Sequence, residues 1–143
     1  TYGPLSWVHQ LNLAGLHLPD TSNIKSIRAA LGKDYLLGIS RHTDTFTNTE
    51  AHEGADYIFM SPVFQPLSKT IEQQPIPQIK LVEFCTTSKL PIIALGGMNV
   101  ENLSQTQQAG SKGAAFIGSV FQTSNPRQQL EKLCFNWRKV SGL

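Results

Sequence analysis

Apolar residues along this chain fall into five short runs: Ala14 to Leu18, Tyr35 to Ser40, Asp56 to Met60, Pro91 to Leu95 and Gly113 to Gly118. The runs are near-continuous rather than alternating, which predicts parallel strands covered on both faces. Helix-like stretches with start and stop signals lie between them. Ser22 or Asn23 caps a helix over Ile24 to Leu31 that Gly32 stops, and Asp44 caps a segment to Glu53 ended by Gly54. The stretch Ile76 to Thr87 places Ile79, Val82 and Phe84 on or near one face. Asn99 caps a run to Ala109 ended by Gly110, and Pro126 sits early in a last helix that reaches about Val140. The order βαβαβαβαβα predicts an α/β fold with a parallel sheet and right-handed crossovers. A repeat of about twenty residues suits a (βα)8 TIM barrel better than a Rossmann sheet, and neither a G-x-G-x-x-G nor a Walker A run is present.

Five βα units do not close an eight-stranded barrel, which usually takes about 250 residues against the 143 here. The expectation is that residues 1–143 form a single domain, the C-terminal part of a TIM barrel with its first three βα units absent. Tyr2 to Gln10 would then end the third unit and lead by a short helix into the Ala14 strand. A partial barrel whose open edges are hidden in an oligomer is the other solution. The start at Thr1, without a methionine, reads as a trimmed or incomplete chain.

Composition changes this picture little. With 40% hydrophobic and 15% charged residues the chain reads as soluble, with an ordinary core. A net charge of +2, scattered along the chain, argues against nucleic acid or membrane partners. No apolar run approaches the roughly 18 residues of a spanning helix. Cys85 and Cys134 lie in helical, apolar contexts and read as buried free thiols, which fits a reducing cytoplasm.

Chemistry in a barrel sits at the C-terminal ends of the strands. Here those ends are Pro19-Asp20, Ser40 to Thr43, Ser61 to Thr70, Gly96-Gly97 and Gly118-Ser119. Gly96 and Gly97 follow a buried strand and precede a helix-start signal, a pattern that lets backbone N–H groups approach an anion. Gly118 and Ser119 repeat it about twenty residues later, and paired anion sites after the last two strands are a barrel arrangement. His42 lies two residues past a strand, at the lip, where an imidazole serves as a general acid or base or simply enters the next helix. His9 and His52 read as surface residues, and His17, inside a strand, as a hydrogen-bonded core histidine. The long loop after Met60 carries Ser68 and Lys69, which would hold an anionic group as a lid or stay solvated. No carboxylate pair or His/Cys spacing suggests a structural metal.

Taken in order, Gly15-Leu-His-Leu-Pro19, Gly38-Ile-Ser-Arg-His-Thr43, Gly54-Ala-Asp-Tyr57, Ser61-Pro-Val-Phe64, Ser68-Lys69, Ile93-Ala-Leu-Gly-Gly-Met98 and Ala109-Gly110 resemble the thiamine phosphate synthase/TenI family. The resemblance covers about residues 9 to 121. It implies a (βα)8 barrel entered near the end of its third strand. It also implies that Ser40, Ser68 and Lys69 lie around a pyrophosphate, that Gly97 and its neighbours cradle a thiazole phosphate, and that His42 matches the acid/base histidine of the thiazole tautomerase branch. The chain also departs from the synthase pattern. Where a synthase shows Gly-Gln-Glu-Asp, the last acid binding magnesium, this chain has Pro19-Asp20-Thr21-Ser22, so the acid falls on Ser22. The first loop threonine is Pro66, and the usual serine after the final strand falls on Gly118 with Ser119 beside it.

Departure of pyrophosphate needs a divalent cation, whereas tautomerisation needs a phosphate anchor and one acid/base. The departures therefore point first to a TenI-like tautomerase without a cofactor. In that reading Gly96, Gly97, Gly118 and Ser119 hold phosphate and His42 transfers the proton. A synthase with Mg2+ and Asp20 shifted into the metal role is the second reading. A non-catalytic phosphate- or thiazole-binding module is the third. The expected partners are a small thiazole phosphate and further copies of the chain in a homo-oligomer.

Overall fold

The computed structural model describes residues 3–66 and 74–141. In chain order the elements are α1 (Ser6–Gln10), β1 (Gly15–Leu18), α2 (Ile24–Leu31), β2 (Leu36–Arg41), α3 (Glu50–Glu53) and β3 (Tyr57–Met60). They continue with α4 (Gln78–Thr87), β4 (Ile92–Ala94), α5 (Leu103–Gln108), β5 (Gly113–Ala114), α6 (Gly118–Phe121) and α7 (Pro126–Ser141). The five strands form one parallel sheet in the order β1-β2-β3-β4-β5. A doubly wound sheet reverses its strand order at a switch point, and this one does not. Right-handed crossovers between sequential parallel strands carry the helices to one face, as in the wall of a (βα)8 barrel.

Several boundaries differ from the sequence expectation, each for a local reason. Asn23 caps α2 as expected, its side chain accepting the Ser26 amide at 2.9 Å. Asn99 instead accepts the amides of Glu101 and Asn102 at 3.0 and 3.1 Å, which makes a turn and delays α5 to Leu103. The stretch after Asp44 is a loop, and only Glu50–Glu53 is helical. Residues Ser6–Gln10 are themselves helical, so the short helix lies before Leu11 rather than after Gln10. Strand β5 stops at Ala114. On α4 the inward residues are Leu81 and Phe84, while Ile79 is 74% exposed and Val82 is exposed too. Ile76 is buried just before that helix, its amide on the Pro62 carbonyl at 2.8 Å, and this anchor sets the phase of the helix that follows. Cys134 is exposed because Leu133 is the residue of that α7 turn that enters the core, and Cys85 on α4 is half-buried.

Register places the sheet's two faces in different chemistry. On one face Leu16 pairs with Leu37, Leu18 with Ile39, Ile39 with Ile58, Ile58 with Ile92 and Met60 with Ala94. All of these side chains are buried, and each of the larger ones contributes about 1.5–3 kcal/mol. The opposite face carries Gly15, His17, Leu36, Gly38, Ser40, Tyr57, Phe59 and Ile93. A Cβ on Gly38 would overlap the Tyr57 ring. The missing side chain lets that ring lie across β2 toward His17.

Leu37→Ala is expected to cost about 2–5 kcal/mol, because a fully buried side chain leaves a cavity. Leu36→Ala, one residue away on the other face and 56% exposed, is expected to cost under about 1 kcal/mol. Urea unfolding of the two variants measures the contrast.

Candidate functional site

The C-terminal ends of β1, β2 and β3 are tied together through His42 and Arg41. The His42 amide donates to Thr45 Oγ1 at 2.8 Å, which fixes the turn that leaves β2. Its ring Nδ1 lies 2.6 Å from the Ser61 carbonyl oxygen, at the end of β3. A carbonyl only accepts, so Nδ1 carries a proton, and Nε2 is the ring nitrogen left to exchange one. Nε2 faces the Asp20 carboxylate, just past β1, at 3.7 Å. On its outer side His42 lines an open cleft of about 340 Å3 with Thr43, Asp44, Ser61, Pro62 and Gln74.

Arg41 is the last residue of β2, in register with Met60 on the helix-facing side. It is only 7% exposed, and its Nε pairs with Glu50 Oε1 at 2.9 Å while Nη1 donates to the Asp20 carbonyl at 2.8 Å. Burial pushes the Glu50 carboxyl upward, but hydrogen bonds from its own amide, from Arg41 and from the Thr47 amide outweigh it and hold the group below the usual carboxylate range. The sequence reading took Ser40 to Thr43 as one rim and missed this pair. The signal that finds it is strand alternation: Leu37, Ile39 and Arg41 share a face, so Arg41 needs a buried counter-charge.

Ser40 points to the inner face, where its Oγ lies 3.0 Å from His17 Nε2. His17 Nδ1 reaches the Tyr57 hydroxyl at 3.2 Å, and the ring packs on Phe59 with centroids 4.5 Å apart. His17 is thus a hydrogen-bonded buried histidine as expected, and it also connects directly to a predicted site residue. Burial lowers its pKa from the ordinary 6.5, so the neutral ring is favoured.

Gly96 and Gly97 have φ of 92° and 62°, the left-handed region. A Cβ on Gly96 would lie 2.8 Å from Pro62 Cα, and one on Gly97 would lie 2.5 Å from the Gln65 carbonyl oxygen. The glycine pair therefore admits the chain leaving β3, whose Phe64 amide donates to Gly96 O at 3.0 Å. Asn102 Nδ2 closes the turn on Gly97 O at 2.9 Å. Since α5 starts only at Leu103, the expected helix end does not adjoin the glycines, and an anion there would meet turn backbone instead. Past the neighbouring strand β5, Gly118 opens α6, and Ser119 Oγ is buried without a hydrogen-bond partner among the described residues. Ser68 and Lys69 lie outside the described residues.

No group of three His, Cys, Asp or Glu side chains that would cage a metal occurs among the described residues. Magnesium needs less, since it keeps waters and substrate oxygens and takes one or two carboxylates. Asp20 fits that demand. Arg41 binds its carbonyl and Glu50 takes the guanidinium charge, so the Asp20 carboxylate is left facing only the His42 ring among the described residues. No helix among those residues is long and apolar enough to cross a membrane.

A family model described as thiamine monophosphate synthase matches residues 3–120. The thiamine-phosphate synthase of Caldicellulosiruptor saccharolyticus is 31% identical over 121 residues, covering 83% of this chain and 54% of the relative. That of Syntrophomonas wolfei is 32% identical over 127 residues, covering 87% and 60%. The chain thus spans little more than half the length of these curated relatives. Among solved structures, a thiamine phosphate pyrophosphorylase from Pyrococcus furiosus superposes with a TM-score of 0.81 at 22% identity, covering 96% of this chain and 65% of that one. At that identity the likeness speaks for the fold, a (βα)8-type barrel wall.

With its pKa lowered on folding, His17 binds fewer protons in the folded chain than in the unfolded one. Stability is therefore expected to be intact above about pH 6.5 and to fall as the pH drops below it, toward the folded value. Urea unfolding at stepped pH should show this slope in the parent and a weaker one in His17→Gln.

Proposed function

The chain belongs to the thiamine monophosphate synthase family, and on that premise we propose that its site joins a hydroxymethylpyrimidine diphosphate to a thiazole phosphate with release of pyrophosphate. The observation that carries this reading is the Asp20 carboxylate, held at the end of β1 by its backbone and facing the rim. The curated relatives, which are thiamine-phosphate synthases, support it. The missing acid at Ser22 had favoured tautomerisation. Asp20, two residues earlier, offers a carboxylate at the same strand end.

In this reaction the methylene carbon–oxygen bond of the pyrimidine diphosphate breaks, and its electron pair leaves with pyrophosphate. The thiazole nitrogen lone pair then forms the new carbon–nitrogen bond. Magnesium, when bound, neutralises the charge that builds on the departing oxygens. Asp20 is the described residue that would hold it. Ser40, oriented by His17, presents a hydroxyl to the pyrophosphate, with Ser68 and Lys69 as further candidates. Tyr57 and Phe59 offer an aromatic surface for a flat ring and keep water from the reacting carbon. The turn at Gly96 and Gly97, with Gly118 and the buried Ser119 hydroxyl, would receive the thiazole phosphate.

A second reading, tautomerisation of a thiazole carboxylate phosphate, draws on His42 itself. Its Nδ1 proton is committed to the Ser61 carbonyl, so Nε2 is a base beside the Asp20 carboxylate. Such an arrangement moves a proton between carbon and ring positions without a cation.

Under the synthase reading Asp20→Asn should lower kcat for magnesium-dependent pyrophosphate release by about 100-fold or more, and His42→Ala by about tenfold. Coupled pyrophosphate assays measure both. Proton exchange into a thiazole carboxylate phosphate in deuterated buffer, abolished by His42→Ala, would favour the second reading. Phosphate binding with neither reaction would leave a binding module.

A further inference from the structure

Arg41 and Glu50 occupy positions where hydrophobic packing would be the simpler solution. Arg41 continues the buried Leu37–Ile39 face of β2, and Glu50, 1% exposed, opens α3 directly against it. Taking both charges out of water is expensive, and an apolar pair of similar volume is often as stable or more so. The arrangement is not optimised for stability either, since Glu50 Oε2 is buried without a hydrogen-bond partner among the described residues. Stability alone therefore does not account for the pair.

Its geometry points to a different role. The guanidinium reaches in two directions at once, with Nε on Glu50 and Nη1 on the carbonyl oxygen of Asp20, 21 positions earlier in the chain. Nη1 also lies 3.3 Å from the Ser40 carbonyl oxygen. Glu50 Oε1 accepts the Thr47 amide and hydroxyl, both at 3.2 Å, so the carboxylate is itself anchored to the loop that follows His42. The ends of β1 and β2 and the start of α3 are thereby locked under the rim. The residue after Arg41 is His42, and the residue whose carbonyl Arg41 holds is Asp20. We propose that the buried Arg41–Glu50 pair is a positioning device that sets the placement of the Asp20 carboxylate against the His42 ring, and with it the reactivity of the site. The proposal rests on the reading that Asp20 and His42 belong to the reaction site.

A planar fork is needed for this task. Lysine at position 41 would keep the charge, but a single ammonium does not present two diverging N–H groups in a fixed plane. Neither residue touches the inner face where substrate would lie, so both are positioning residues and not catalytic ones.

The test compares the parent protein with Arg41→Met/Glu50→Leu and with Arg41→Lys. Three readouts are taken: the urea midpoint, the ring NMR signals of His42 in the ligand-free protein (assigned by their loss in His42→Ala), and kcat and KM for pyrophosphate release. In the double variant the urea midpoint should be retained or raised while the His42 ring signals move. Its kcat should fall about 10- to 100-fold, as expected for a misplacement of about 1 Å, with KM for the thiazole phosphate little changed. Arg41→Lys should fall between the parent and the double variant. A folded double variant with parental His42 signals and parental kcat would overturn the proposal. Should the double variant fail to fold, Arg41→Lys with parental signals and rate would overturn it just as well. If the parent releases no pyrophosphate, the reaction assigned above fails, and the NMR comparison still decides whether the pair positions His42.

Discussion

Parallel register is the constraint on which the rest of the molecule depends. Once Leu16 stands beside Leu37 and Ile39 beside Ile58, every second residue along three strands is committed to the helix-packed core. The residues between them are committed just as firmly to the opposite face. His17, Ser40, Tyr57 and Phe59 gather there although 42 positions separate the first from the last. A slip of one residue in any strand would exchange the two sets. The apolar core and the polar inner surface are therefore consequences of one alignment.

The strand ends follow a different rule, because alternation continues one residue too far for an apolar core. Arg41 is the residue at which the buried face of β2 reaches the rim, and there the chain places a charge instead of a hydrocarbon. Its counter-charge comes from α3 and its second contact from the loop after β1. His42, on the alternate face, reaches the end of β3 through the Ser61 carbonyl. Two consecutive residues thus connect three strand ends, one from beneath and one from the mouth.

Much of this was legible in the sequence. The five strands could be placed because buried parallel strands are uninterrupted apolar runs, and the Asn23 cap because its spacing before an apolar periodic stretch has one simple reading. Asn99 was misread because an asparagine that caps a helix and one that closes a turn look alike locally, and only the next residues' conformations separate them. Ile79 was placed inward because periodicity gives a stripe without its phase, which the buried Ile76 sets from outside the helix. The glycine pair was recognised, yet its immediate cause is a neighbouring segment at Pro62 to Gln65 that no local pattern announces. His42 was found from its place past a strand. Its partners, the Ser61 carbonyl and the Asp20 carboxylate, lie 19 and 22 positions away and are joined only by the register.

The most direct measurement of the central claim is product analysis with both substrates present. The protein would be incubated with hydroxymethylpyrimidine diphosphate and thiazole phosphate, with and without magnesium, and thiamine phosphate and pyrophosphate would be quantified together. The account predicts that the two products appear in equal amounts and only with the cation. Saturable binding of thiazole phosphate by folded protein, with neither product formed, would contradict it.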